Sequence, residues 1–96
     1  MSEEALGISR VVIDAQKPRE ISIVDLAEAV AEAPGVAKVD INVTEVDART
    51  ETLKIHIEGF DIDVEEVSDI LEEHSTVIRS IDAVSAEKRR VEQSQG

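Results

Sequence analysis

The chain of 96 residues predicts a single α+β domain, and three observations carry that prediction. Segments that alternate apolar and polar residues change place with segments whose apolar residues recur at helical spacing. Each helical segment opens on a residue suited to cap it, Ser22 for the first and Asp63 for the second. The two helix starts, Ile21-Ser22-Ile23-Val24-Asp25-Leu26 and Ile62-Asp63-Val64-Glu65-Glu66-Val67, also align as a weak internal repeat, suggesting two similar strand-helix-strand halves.

Residues 1–8 read as a loose lead-in, 9–85 as the domain and 86–96 as a polar, mobile tail. Arg10-Val11-Val12-Ile13-Asp14-Ala15 is rich in β-branched residues and suits a strand with neighbours on both edges. Gln16 to Glu20 turns the chain, because Pro18 lacks an amide donor and pushes Lys17 toward extended geometry. Ser22 then caps a helix, Asp25 forms a weaker capping box, and Ile21 and Leu26 are spaced as a hydrophobic staple. Its apolar stripe is Ile23, Leu26, Ala27 and Val30, and Pro34-Gly35 ends it.

Val36 to Asp47 is the second strand, with Val39, Ile41 and Val43 on one face. Its alternation slips at Glu45-Val46, as a bulge or strong twist would produce, before a turn at Asp47-Ala48-Arg49-Thr50. The central strand is Thr52 to Phe60, where Leu53, Ile55 and Ile57 alternate strictly with polar residues until Gly59. Asp63, Glu66 and the Ile62–Val67 staple open the second helix, which buries Val67, Ile70 and Leu71. Val77 to Val84 is the fourth strand, but its apolar residues are out of phase and do not fix which face is buried. The order β-α-β-β-α-β is the split, ferredoxin-like motif. Right-handed crossovers give a four-stranded antiparallel sheet of order 4-1-3-2 with both helices on one face.

Twenty-two acidic against ten basic residues leave a formal charge of −12, which repels phosphate backbones and anionic membranes. With one Phe and neither Trp nor Tyr, the sheet also lacks the aromatic platform on which RNA bases stack, so no nucleic-acid partner is expected, on two grounds. Absence of cysteine removes disulfides, thiolate nucleophiles and the paired thiols of metal chaperones. No apolar run approaches the roughly 20 residues of a membrane span, and Met1-Ser2-Glu3-Glu4 is not a signal sequence, so a cytoplasmic protein without membrane contact is expected. A chain this short buries only about 60–70% of its unfolded surface, so its stability is modest unless subunits add burial.

Asp14-x-x-Lys17-Pro18, Glu45-Val46-Asp47-x-x-Thr50, Ile57-Glu58-Gly59 and Ser80-Ile81-Asp82-x-Val84 resemble, in order and spacing, an archaeal family known as domain of unknown function 211. The resemblance spans Ser9 to Ser85 and implies a ferredoxin-like fold in a symmetric homo-oligomer, without an established activity. The segment after Ser85 falls outside it.

Antiparallel pairing is expected to gather Asp14, Lys17, Glu45, Asp47 and Glu51 near one rim of the sheet. Asp14, Glu45 and Asp47 there form a candidate Ca²⁺ or Mg²⁺ site, since both ions take carboxylate oxygens. The competing reading makes the same residues turn caps and ion pairs, with Asp14 joined to Lys17 or Lys54. The opposite rim should collect Arg10, Glu58, Asp61 and Asp82, making Glu58 and Asp82 candidates for a small-molecule ligand near Gly35. Asp61 to Glu72 mimics a calcium loop in its acidic spacing but fails on mechanism, because the sixth position is Glu66 instead of glycine and the segment is helical. His56 lies on the open face and His74 at a helix end, and two histidines on separate elements show no transition-metal spacing. Gln16 to Glu20 has no glycine with which to cradle a phosphate.

Three functions are consistent with these residues. The leading one is a non-enzymatic homo-oligomeric module, its assembly tuned by divalent cations. The second is a metabolite-sensing domain with its ligand at a subunit interface, near Gly35, Glu58 and Asp82. The third, a hydrolase using His56 with Glu58, lacks any accompanying Ser or Cys nucleophile pattern.

Overall fold

Strand β1 (Glu3–Pro18) runs through the inside of the sheet and pairs on both sides, with β3 (Thr50–Gly59) and with β4 (Val77–Val91). The structure is a computed structural model and describes residues 3–91. Helix α1 (Ile23–Ala31) follows β1, strand β2 (Val36–Val46) pairs with β3, and helix α2 (Val64–Glu73) leads into β4. All pairings are antiparallel, and the order β2-β3-β1-β4 is the expected ferredoxin-like sheet.

Local chemistry forms the elements as anticipated. The Ser22 hydroxyl accepts from the amides of Val24 and Asp25 at 3.1 and 3.3 Å, and the Asp63 carboxylate accepts from the amide of Glu66 at 3.0 Å. Each cap satisfies amides that the first turn leaves without partners. Gly35 then turns the chain out of α1 with φ +84°, a conformation that disfavours any Cβ. Gly59 lies so close to the Gly35 carbonyl that a side chain there would collide with backbone.

Burial follows the sheet register. Val11, Ile13 and Ala15 lie opposite Ile57, Ile55 and Leu53, and all six side chains are buried with Leu26, Val30, Val67 and Leu71 beneath the helices. Each such side chain contributes roughly 1.5–3 kcal/mol on burial. A slip of one residue along β3 would replace Ile55 in this layer by Lys54 or His56, so the core itself fixes the register.

The phase of β4, left open by its apolar pattern, has a structural answer. Ile78, Ile81 and Val84 lie opposite Ala15, Ile13 and Val11, on the helix side, although they are three residues apart. Register shifts between Val12 and Ile13 and between Asp14 and Ala15 insert one extra β4 residue at each step, Asp82 and Arg79. These bulges turn a period of three into a continuous apolar row. In β2 the expected slip is also present, as a register shift between Val43 and Glu45.

The ends of the domain differ from expectation. The segments read as lead-in and tail are strand wherever they are described, Glu3 to Ile8 pairing with Ala86 to Val91, while residues 92–96 lie outside the described residues. Alternation is too short on either segment to mark a strand alone, and pairing between the chain's two ends is invisible to local pattern. These pairs extend past Arg10 and Glu58, the last contact of β1 with β3, as a two-stranded arm. The molecule is accordingly long, 57 × 24 × 18 Å, with a radius of gyration of 15.3 Å where about 12.5 Å fits a compact chain of this length.

Candidate functional site

The open face of the sheet carries the residues that alternate with the core, among them Asp14 opposite Lys54, Gln16 opposite Thr52 and Val12 opposite His56. The two bulge residues of β4 join them. Lys54 donates to the Asp82 carboxylate and lies 3.9 Å from Asp14 Oδ2. Arg79 Nε is 3.8 Å from Asp14 Oδ1, and its Nη1 donates to Thr52 Oγ1 at 3.4 Å. The Ser80 hydroxyl completes the group by donating to Asp82 Oδ1 at 2.7 Å. Val12, nominally on the exposed side, is 6% exposed among these neighbours.

Charge in this network is internally balanced. The hydrogen bond from Lys54, followed by that from Ser80, holds the Asp82 carboxyl below the usual carboxylate range. The same bond to Asp82 raises the Lys54 ammonium above its ordinary value. Asp14 Oδ1 is buried without a hydrogen bond, so the Arg79 guanidinium at 3.8 Å compensates it by charge alone. The two carboxylates and two cations form a chain, Asp82–Lys54–Asp14–Arg79, in which each charge has an opposite neighbour. It ties β1, β3 and β4 together across the face that no helix covers.

The proposed metal ligands are not brought together. Glu45 on β2 is exposed opposite Thr52, Asp47 is exposed at the hairpin, and β3 lies between them and Asp14. Two strand spacings put β2 and β1 about 10 Å apart. Among the described residues, no group of three or more His, Asp or Glu side chains is placed to hold a metal ion. Lys17 is 1% exposed and pairs with Glu51, while Asp14 faces Lys54 and Arg79.

The opposite rim is also smaller than expected. Glu58 lies between Arg10 and Lys38 in a row across three strands, but Asp82 is absent from it, being bound to Lys54. Lys54 and Glu58 are four positions apart on β3, about 13 Å along the strand. Beside Glu58 is an open hollow of about 520 Å³ lined by Ser9, Lys38, Phe60 and Arg89, with the Arg89 guanidinium 4.2 Å above the Phe60 ring. Assigning Arg89 to a tail conceals this contact from sequence reasoning. His56 lies between Val12 and Asp40 in register, and His74 Nδ1 is 2.8 Å from the Ile70 carbonyl at the end of α2.

The sheet has two edge strands, β2 and β4, and of the two β4 is the longer, unpaired on its outer side along its whole length. Ile81 and Val84 are 49% and 55% exposed although their β1 partners Ile13 and Val11 are buried. The helix layer reaches β4 at Ile78, which packs against the core, but leaves Ile81 and Val84 uncovered. The strand's free edge and uncovered apolar row are a template for another chain.

These features define a small ferredoxin-like α+β protein whose open-face charges pair with one another and whose sheet leaves the outer edges of β2 and β4 unpaired. Residues 9–96 match the DUF211 family, described as Uncharacterized ArCR. An uncharacterised protein of Methanocaldococcus jannaschii is 39% identical over 87 residues, covering 91% of this chain and 90% of the relative. The chain belongs to this archaeal family. The match includes the segment after Ser85, which the motif resemblance left out and which, as far as Val91, forms the outer part of β4. Among the described residues, no helix is long and apolar enough to cross a membrane.

Proposed function

We propose that this protein is a non-enzymatic, cytoplasmic homo-oligomeric module in which copies of the chain cover one another along β4. The uncovered row of Ile81 and Val84, beside a free strand edge, carries this reading. Covering it adds the apolar burial that a short chain lacks. Sedimentation velocity tests the reading: an oligomer is expected, and Ile81→Asp together with Val84→Asp is expected to shift it toward monomer. A wild-type monomer at tens of micromolar would refute it.

Divalent cations act as screening ions. Subunits of formal charge −12 repel one another, and Ca²⁺ or Mg²⁺ reduces that repulsion without a dedicated site. Matching the effect with NaCl at equal ionic strength checks this, and an effect specific to one divalent ion at micromolar concentration would restore a binding site.

The hollow beside Glu58 favours a second reading, a metabolite-binding domain for a small ampholyte. Lys38 and Arg89 suit a carboxylate and Glu58 an ammonium group around one apolar ring. A thermal-shift screen of amino acids and related ampholytes is the test, since a ligand at 100 times its Kd adds about 2.7 kcal/mol. An unmoved melting temperature across the screen counts against it.

A further inference from the structure

The two-stranded arm has an inner and an outer face. Ala5, Gly7, Glu87 and Arg89 make the inner one, which leans on the body through Arg89 over Phe60 and through Gly7 against the backbone of Asp61. Glu4, Leu6, Lys88 and Arg90 make the outer one, and all four are exposed, Leu6 at 69%. A two-stranded ribbon is marginal in water by itself. Its outer face is unpartnered, with a large apolar side chain between opposite charges.

We propose that the outer face of the arm docks onto the same face of a second copy. The argument is charge complementarity under two-fold symmetry. Glu4 is the register partner of Arg90, and Leu6 of Lys88. A two-fold axis running along the ribbon lays β1 of one copy over β4 of the other. Glu4 then meets Arg90 of the second copy twice, once on each side of the axis, and Leu6 meets the aliphatic stem of Lys88. Among the described residues no ion pair joins Glu4 to Arg90 within the chain, so both charges are available for the intermolecular pair. An acidic protein of charge −12 resists self-association through its net charge, and a patch that pairs Glu4 and Arg90 with their opposites offsets that resistance locally.

The inference rests on the self-assembly reading but names a different surface from the Ile81 and Val84 row, so the two can fail separately. Glu4→Arg and Arg90→Glu are made singly, and far-UV circular dichroism checks folding. Each variant alone places like charges in contact twice, and its dimer dissociation constant is expected to rise roughly tenfold or more. An equimolar mixture restores both intermolecular pairs although each chain carries like charges at its own register-paired positions 4 and 90, so the mixture is expected to recover wild-type assembly. The native chain has no cysteine, which allows an independent readout. A short bis-maleimide is expected to couple Leu6→Cys subunits efficiently and Val24→Cys subunits, exposed on α1, poorly. Variants that assemble like wild type, a mixture that behaves as the sum of its parts, or equal coupling at both cysteines would overturn arm docking while leaving assembly intact. A monomeric wild type would overturn both.

Discussion

Among the described residues Lys17 is the most completely buried charge, and its partner decides what removing either residue does. Its side chain is 1% exposed, its ammonium pairs with the Glu51 carboxylate, and it also donates to the Pro18 carbonyl at 3.2 Å. Glu51→Ala leaves the ammonium buried with a single neutral acceptor. Breaking a buried pair from one side costs about 3–5 kcal/mol. Glu51 is 20% exposed, so water reaches the vacated position and the cost falls to the bottom of that range or just below it, about 2–3 kcal/mol. For a domain of this length that corresponds to a fall in melting temperature of roughly 10–20 °C. Lys17→Met keeps the stem's volume and removes the charge, and it is expected to be near neutral or stabilising, as is the Lys17→Met, Glu51→Ala double variant. Urea unfolding followed by far-UV circular dichroism is the assay, because the chain has neither Trp nor Tyr for fluorescence. Protein concentration is held fixed, since assembly contributes to apparent stability. A Glu51→Ala loss below about 0.5 kcal/mol, or a Lys17→Met loss equal to it, would show that the pair is not what stabilises this end of β1.

The Asp82 carboxyl titrates below its ordinary 3.8 in the folded chain, so its contribution is present above that value and is lost as pH falls through the lower folded pKa. Asp82→Asn is therefore expected to flatten the acid limb of the stability-pH curve, and an unchanged limb would refute the assignment. Lys54 has the opposite sign: its pKa is raised from 10.5, so its contribution is complete below that value and lost as pH rises through the higher folded pKa. Lys54→Met removes that alkaline dependence, checked by urea unfolding from about pH 10 to about pH 12, the side of the ordinary lysine value on which the loss falls. Ser22→Ala removes the acceptor for two amides of α1 and is expected to cost about 1 kcal/mol, against only a few tenths for Ser22→Gly. Gly35→Ala forces a Cβ onto φ +84° and into the Phe60 and Asp61 carbonyls, an expected loss upwards of about 2 kcal/mol in the same unfolding assay.

Much of the fold is legible in the sequence because its signals are local. Alternation in β3, the caps at Ser22 and Asp63 and the break at Pro34-Gly35 each operate within a few residues, and the crossover rule then orders the strands. The site is less legible because it depends on which residues a bulge inserts. Counting along an unbroken β4 puts Asp82 with Glu58. Its extra position carries it to Lys54 instead, and the same effect brings Arg79 to Asp14. The metal cluster fails for a different reason: Asp14, Glu45 and Asp47 share a rim in projection, but β3 and its Lys54 stand between them. The arm escapes notice since Glu3 to Ile8 and Ala86 to Val91 are each too short and polar to register as strands, and become so by pairing across the whole chain.

Spacing by three in Ile78, Ile81 and Val84, which obscures the strand's phase, also links the two faces of β4. A strand with regular alternation would send one residue in two to each side. By inserting Arg79 and Asp82, β4 keeps Ile78, Ile81 and Val84 on the helix side and delivers two opposite charges to the open face, one for Asp14 and one for Lys54. Each bulge also interrupts the regular ladder of an exposed edge, the usual protection against indiscriminate strand addition. An edge that is bulged where it crosses the body, apolar on its helix side and charge-balanced on its arm is poorly suited to open-ended aggregation. Its chemistry favours a closed contact with copies of itself, in which few geometries satisfy all three conditions at once.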